Sequence, residues 1–157
     1  MSIFVKKLTP NSTFDTNLLD SINEFLFKHL EQYGDPKADI RKAMEYSLSK
    51  ETGKGGYVFY VIESDEKNAE GRENEKIVAA TIINETGMKD YIPENILVYI
   101  AVDGSERGKG IGKKLMQEVM KNVNGGIALH VEADNPAKKL YEKLGFTNKY
   151  LEMRWKK

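Results

Sequence analysis

Directly after an apolar run that ends at Val102, glycines and cations alternate through Arg107-Gly108-Lys109-Gly110-Ile111-Gly112-Lys113. Such a segment can hold an anion. An amphipathic helix opens inside it, with apolar residues at Ile111, Leu115, Met116, Val119 and Met120. The first N–H groups of a helix have no intrahelical partner, and the helix dipole favours negative charge there. Gly108, Gly110 and Gly112 lack Cβ atoms, so a phosphate can approach the backbone. Arg107, Lys109 and Lys113 add cationic side chains at the same place. The spacing argues against two familiar phosphate motifs. A P-loop needs four residues between its glycines and a hydroxyl after Gly-Lys. Here only three residues separate Gly104 from Gly108, and Gly110 stands where the hydroxyl belongs. The dinucleotide fingerprint fails as well, because these glycines recur at every second position.

A second group of reactive side chains follows in Asp134-Asn135-Pro136-Ala137-Lys138-Lys139-Leu140-Tyr141-Glu142-Lys143-Leu144-Gly145-Phe146. A tyrosine with its reference pKa of ~10 is a proton donor at neutral pH. On pattern alone Tyr141 sits among Ala137, Leu140 and Leu144 and reads as a core-edge residue. Asn135-Pro136 is an ordinary helix start, and Lys138 and Lys139 by default form a solvated face. His130 and Glu132 share the outward face of the preceding strand. His130 has the reference pKa, ~6.5, that suits a general base, although a lone strand histidine is more often structural. Glu94 stands before the apolar run.

The two segments, in this order and spacing, resemble the GCN5-related N-acetyltransferases, the GNAT superfamily. Its pyrophosphate segment has the form (Arg/Gln)-x-x-Gly-x-(Gly/Ala), matched by Arg107, Gly110 and Gly112 with Gly108 between them. Asn135 to Phe146 is similar to the family's Asn-x-x-Ala-x-x-Leu-Tyr-x-x-x-Gly-Phe, one residue shorter between Asn and Tyr. Gly104 replaces a frequent proline, which changes turn stiffness more than chemistry. The resemblance runs from about Ile96 to Phe146 and in the N-terminal half extends only to element order.

That resemblance implies transfer of an acetyl group from acetyl-CoA to a primary amine, by direct attack in a ternary complex. The amine must be neutral, the oxyanion needs donors, and the departing thiolate needs a proton. The implied donor-site residues are the backbones of Ile100, Ala101 and Val102, then Arg107, Gly108, Lys109, Gly110, Ile111, Gly112 and Lys113. Asn135 would bond the pantetheine or fix the splay of the sheet, and Lys138 or Lys139 would reach a CoA phosphate. Tyr141 would protonate the thiolate. His130 is the candidate base, with Glu94 and a water-mediated route as alternatives. The acceptor side carries Tyr33, Asp35, Asp39, Tyr46, Glu85, Asp90 and Glu94. Acids there suit a cationic amine: a polyamine, an aminoglycoside or a lysine side chain. A different class of function remains open, an acyl-CoA sensor of the same fold without turnover.

Composition bounds these readings. A chain of 157 residues fits one domain, 1–157, with a proper core. Lys plus Arg equals Asp plus Glu at 24 each, so no global field argues for nucleic acid. Cysteine is absent, which excludes a disulfide scaffold, a thiolate zinc site and a cysteine nucleophile. No metal is called for. No apolar run suits a signal core or a membrane span, and the expectation is a cytoplasmic protein. Met153 and Trp155 near the end suit either closure of the core or a homodimer.

The elements that must position these groups follow from periodicity. Ser2 to Leu8 alternates as a strand. Asp15 or Thr16 caps a helix with the stripe Leu18, Leu19, Ile22, Phe25, Leu26, Leu30. Asp35-Pro36 promises a second helix with a carboxylate cap, carrying Ile40, Ala43, Met44 and Leu48. Tyr57 to Glu63 and Ile77 to Asn84 read as strands joined by a charged, mobile loop over Ser64 to Lys76. Asn95 to Val102 is apolar on both faces and reads as a central strand. The glycine-turn helix runs to about Val123, a strand spans Ile127 to Ala133, and a short helix reaches Leu144. From Phe146 the chain alternates again as a closing strand. The expected order is β-α-α-β-β-β-α-β-α-β, an α/β fold with a mixed sheet and helices on both faces, similar to the GNAT fold.

Overall fold

The computed structural model describes residues 2–64 and 75–157. The charged loop expected to be mobile lies outside the described residues apart from its ends. In chain order the elements are β1 (Ser2–Leu8), α1 (Thr16–Leu30), a 3-10 turn (Glu31–Tyr33), α2 (Lys37–Ser47), β2 (Gly56–Ser64), β3 (Glu75–Glu85), β4 (Asn95–Val102), a second 3-10 turn (Gly104–Glu106), α3 (Ile111–Asn122), β5 (Ile127–Leu129) and α4 (Ala137–Lys143). The sheet has the order β1-β2-β3-β4-β5. Its first four strands are antiparallel neighbours, and β5 joins β4 in parallel. A parallel neighbour needs a crossover connection, which α3 supplies.

Helices cover both faces. On one, Ile22 and Leu26 of α1 and Ile40 and Met44 of α2 pack on Val58, Ala80, Ile82 and Ala101. On the other, Leu115, Met116 and Val119 of α3 and Tyr141 of α4 pack on Phe59, Val61, Val78 and Leu97. Leu115 is fully buried, and truncating such a residue to alanine costs about 2–5 kcal/mol. The middle strand is β3, buried through Val78–Ile83. β4 is the fourth strand and only half-buried along Val98–Ile100, so its apolar character does not make it the centre.

Two bulges re-aim the chain. Val61 pairs with Ala79 and Ile62 with Ile77, which leaves Val78 as an extra residue in β3. Likewise Ile82 pairs with Tyr99 and Ile83 with Leu97, which leaves Val98 extra in β4. A bulge breaks the two-residue alternation of faces. Leu97 therefore faces α3 while Tyr99 faces α1 and α2.

Three further expectations are corrected. Asp35 does not cap α2: Pro36 holds the cap position without a side-chain hydrogen bond, and the Asp35 carboxylate instead accepts from the Tyr99 hydroxyl at 2.5 Å. β5 stops at Leu129, not Ala133. The closing strand is missing, so the element order ends on α4. Residues after Phe146 form no strand, and Leu151 (87 %), Met153 (92 %) and Trp155 (84 %) are exposed. Alternation specifies a strand only where a neighbouring ladder is available, and the three-residue β5 offers little edge.

Candidate functional site

The site begins where two strands part. β4 and β5 pair at Asn95, Ile96 and Leu97, and the ladder ends at Leu97 opposite Leu129. β3 continues to pair with β4 as far as Val102. From Val98 to Val102 the backbone thus has a ladder on one side only among the described residues. Strand-edge N–H and C=O groups of this kind are a template for an extended partner. Ile100 and Val102 turn toward α3 and α4, and Ala101 is buried on the opposite face.

Asp103 fixes how the chain leaves β4. Its N–H donates to the carbonyl of the bulged Val78 at 2.8 Å. Its carboxylate accepts from the Ser105 N–H at 2.9 Å and the Ser105 hydroxyl at 2.8 Å, with Lys76 Nζ at 3.2 Å. The Ser105 bonds, aided by Lys76, hold the Asp103 carboxyl far below the usual carboxylate range.

The glycine turn follows. Gly108 and Gly110 lie at φ 84° and 79°, the left-handed region that L side chains avoid, and a Cβ on either would meet open space. Gly110 caps α3 with no side-chain hydrogen bond, and the first intrahelical bond runs from Lys114 N–H to Gly110 O at 3.0 Å. The amides of Ile111, Gly112 and Lys113 are therefore left without helical acceptors. Gly112 plays another part: a Cβ there would stand 3.3 Å from Leu140 Cδ2 and 3.4 Å from Val102 Cγ2. Its missing side chain lets α4 and β4 close on the start of α3.

The expected cations divide. Arg107 donates to the His29 carbonyl at 3.4 Å and faces Glu31 at 3.8 Å, at the C-terminal end of α1. Lys109 pairs with Glu106 at 2.8 Å. Lys113 and Lys138 have no ion pair among the described residues.

On α4, the Asn135 Oδ1 accepts the Ala137 N–H at 2.9 Å and starts the helix. Tyr141 is 5 % exposed and packs with Ile111, Ile100, Val102 and Leu140. Its ring lies 5.8 Å from that of Phe146. Burial pushes the phenol up to about 12, and its hydroxyl has no hydrogen-bond partner among the described residues. It is a proton donor across the neutral range. The structure thus brings together the β4 edge, the turn from Gly108 to Lys113 and Tyr141. His130 is exposed, one residue beyond β5. The Glu94 carboxylate accepts the Gly126 N–H, which holds its pKa below the usual value.

Several polar partners have no local sequence signal. Tyr99 donates to Asp35, and burial, with Asp35 behind it, pushes its phenol well above the usual range. Tyr33 donates to the Asp134 carbonyl at 3.3 Å, joining the 3-10 turn after α1 to the start of the Asn135 segment. Tyr46 bonds the carbonyls of Gly53 and Glu85 at 3.0 Å each. An open cavity of about 700 Å³ lies between α1 and the start of β3, lined by Phe25, Lys28, His29, Lys76 and Asp103 among others.

Residues 55–148 match the family model described as an acetyltransferase (GNAT) domain. The chain belongs to the GNAT family. The GNAT match covers β2 through α4, hence the parted strands, the glycine turn and Tyr141 together. No curated protein matches the sequence. Among solved structures, an aminoglycoside N-acetyltransferase in complex with CoA aligns at TM-score 0.65 and 16% identity, over 99% of this chain and 95% of that one. The ribosomal-protein-S18-alanine N-acetyltransferase of Escherichia coli aligns at TM-score 0.58 and 18% identity, over 93% and 78%. Glucosamine-6-phosphate N-acetyltransferase from Arabidopsis thaliana aligns at TM-score 0.56 and 18% identity, over 99% of each. At these identities the likeness is one of fold, and it extends the GNAT architecture to β1 and the paired helices. No helix among the described residues is long and apolar enough to cross a membrane.

Proposed function

We propose that this GNAT chain is an acetyl-CoA-dependent N-acetyltransferase acting on a primary amine by direct attack in a ternary complex. The observation that carries the reading is the half-paired edge of β4 beside an uncapped helix N-terminus and a buried tyrosine. An extended pantetheine arm fits the Val98–Val102 edge, and a pyrophosphate fits the bare amides after Gly110. Open space at Gly108 and Gly110 gives the phosphate room, and Lys113 and Lys138 are the cations free to neutralise it. Asn135, with its Oδ1 engaged in the helix start, keeps its amide N–H groups to donate. The solved aminoglycoside enzyme with CoA supports the same donor.

Acetyl-CoA, when bound, supplies a thioester carbonyl open to attack by a neutral amine. The amides of Ile100 and Val102, which face away from β3, polarise that carbonyl. The Tyr141 hydroxyl, protonated at neutral pH, gives its proton to the departing sulfur. The amine's surplus proton leaves through water or to His130. The Glu94 carboxylate is held by Gly126, which leaves water and the exposed His130 as the two routes.

The acceptor is a cationic amine. Asp35 and Asp39 lie beside Tyr99 on the β4 face opposite the glycine turn, whereas the Tyr46 hydroxyl and the Glu94 carboxylate are engaged in holding backbone. The absence of a committed base is what favours the second reading, an acyl-CoA sensor. A thiol-release screen with acetyl-CoA against polyamines, aminoglycosides, amino acids and lysine peptides separates them. Turnover on one cationic class is expected. Binding of the donor without thiol release on any amine would favour the sensor.

A further inference from the structure

The last turn of α1 reaches the glycine turn at two points that the chemistry above leaves unused. His29 Nδ1 accepts the Gly104 N–H at 3.4 Å, and the His29 carbonyl accepts from the Arg107 guanidinium at 3.4 Å. One residue thus brackets the 3-10 turn Gly104–Glu106 at both ends. The imidazole is itself fixed: its centroid lies 4.5 Å from that of Phe25, its side chain is 14% exposed, and Nε2 stands 3.9 Å from Asp103 Oδ2. Two residues on, Glu31 adopts φ 54°, uncommon for a residue with a side chain, and its carboxylate faces Arg107.

We propose that His29 is a positioning residue for the donor-phosphate turn, acting through the Gly104 amide as a neutral imidazole that carries its proton on Nε2. The inference rests on the reading of Gly108 to Lys113 as the site of the CoA phosphates. An imidazole protonated on Nδ1 would turn an N–H against the Gly104 N–H and lose the bond. Of the groups around the ring, burial and the cations Lys28 and Arg107 favour the neutral form, while Asp103 and Glu31 oppose it. Lys76 neutralises Asp103 from the β3 side.

Asparagine places an acceptor oxygen where Nδ1 now lies, glutamine places it one bond farther out, and leucine has none. In calorimetric titrations with CoA, His29→Asn should bind within about twofold of wild type. His29→Gln and His29→Leu should weaken about fivefold to tenfold, the scale of one lost hydrogen bond. A side chain that only fills space would give the reverse order, with Gln and Leu at or above Asn. If His29→Leu melts early, the Asn and Gln variants are compared where both are folded. Equal affinity in all variants overturns the role of His29 and leaves the CoA site standing. A wild type that does not bind CoA overturns both.

Discussion

Leu97 and Leu129 form the last rung between β4 and β5. Past that rung and the bulged Val98, β4 stays paired with β3 for four more residues, Tyr99 to Val102. Beside that gap the α4 residue Leu140 packs against the bare Cα of Gly112 next to Val102. The same contact sets Tyr141 into the cluster formed by Ile100, Val102 and Ile111.

Tyr141→Phe should lower turnover by ~10²-fold or more, the usual scale of a lost proton donor, with CoA affinity nearly intact. With the phenol pushed up to about 12, the tyrosine stays protonated over the accessible range. A pH–rate profile of the wild type should therefore show no basic limb from this group below about pH 10. Unchanged turnover in the variant would remove Tyr141 from the mechanism.

Gly110 and Gly112 should fail differently when substituted. Gly110→Ala faces open space but a left-handed φ, so a loss of about 1–2 kcal/mol is expected from backbone strain. Gly112→Val must displace Leu140 and Val102 and should cost about 1–3 kcal/mol by overpacking, loosening Tyr141 as well. Urea unfolding of both variants, together with their near-ultraviolet tyrosine signal, checks the distinction. An unperturbed tyrosine signal in Gly112→Val would contradict the packing role.

Trp155 is the single tryptophan and is 84 % exposed. Its emission in the native protein should already match that of indole in water, be readily quenched by acrylamide, and change little on unfolding. A blue-shifted native emission would mean that the C-terminal segment is packed, as the alternation of Leu151, Met153 and Trp155 suggested.

Asp103 should tie stability to pH. Its bonds to Ser105 hold the folded pKa below that of the unfolded chain, so the stability it contributes is fully present above ~3.9. That contribution is lost as pH falls through the lower folded value. Asp103→Asn should cost about 1 kcal/mol near neutral pH by removing the charge from the bonds to Ser105 and Lys76, and the gap from wild type should shrink in acid. A gap independent of pH would show that the carboxylate's charge is not what holds the turn.

Much of this was legible in the sequence because local rules govern it. β1, β4, the stripe of α1 and the start of α4 follow from periodicity, from the Asp15 cap and from the Asn135-Pro136 turn, and the paired motifs point to the family. What escaped was set by distant partners. Asp35 looks like a helix cap by its neighbour Pro36, yet Tyr99, brought to that face by the Val98 bulge, takes its carboxylate. Gly112 reads as one more phosphate glycine, and only the approach of Leu140 shows it to be a packing position. His29, Asp103 and Lys76 come from three elements and share no local pattern. The tail from Tyr150 has the alternation of a strand but no ladder to join.

The central claim is that the turn after β4 holds the phosphates of CoA. The direct test is a calorimetric titration of CoA into the wild type and into Gly110→Asp, which sets a carboxylate in the open space beside the bare amides of α3. The account predicts saturable binding to the wild type and none to a variant that still unfolds cooperatively. Equal binding by the two, or no binding by the wild type, would contradict it.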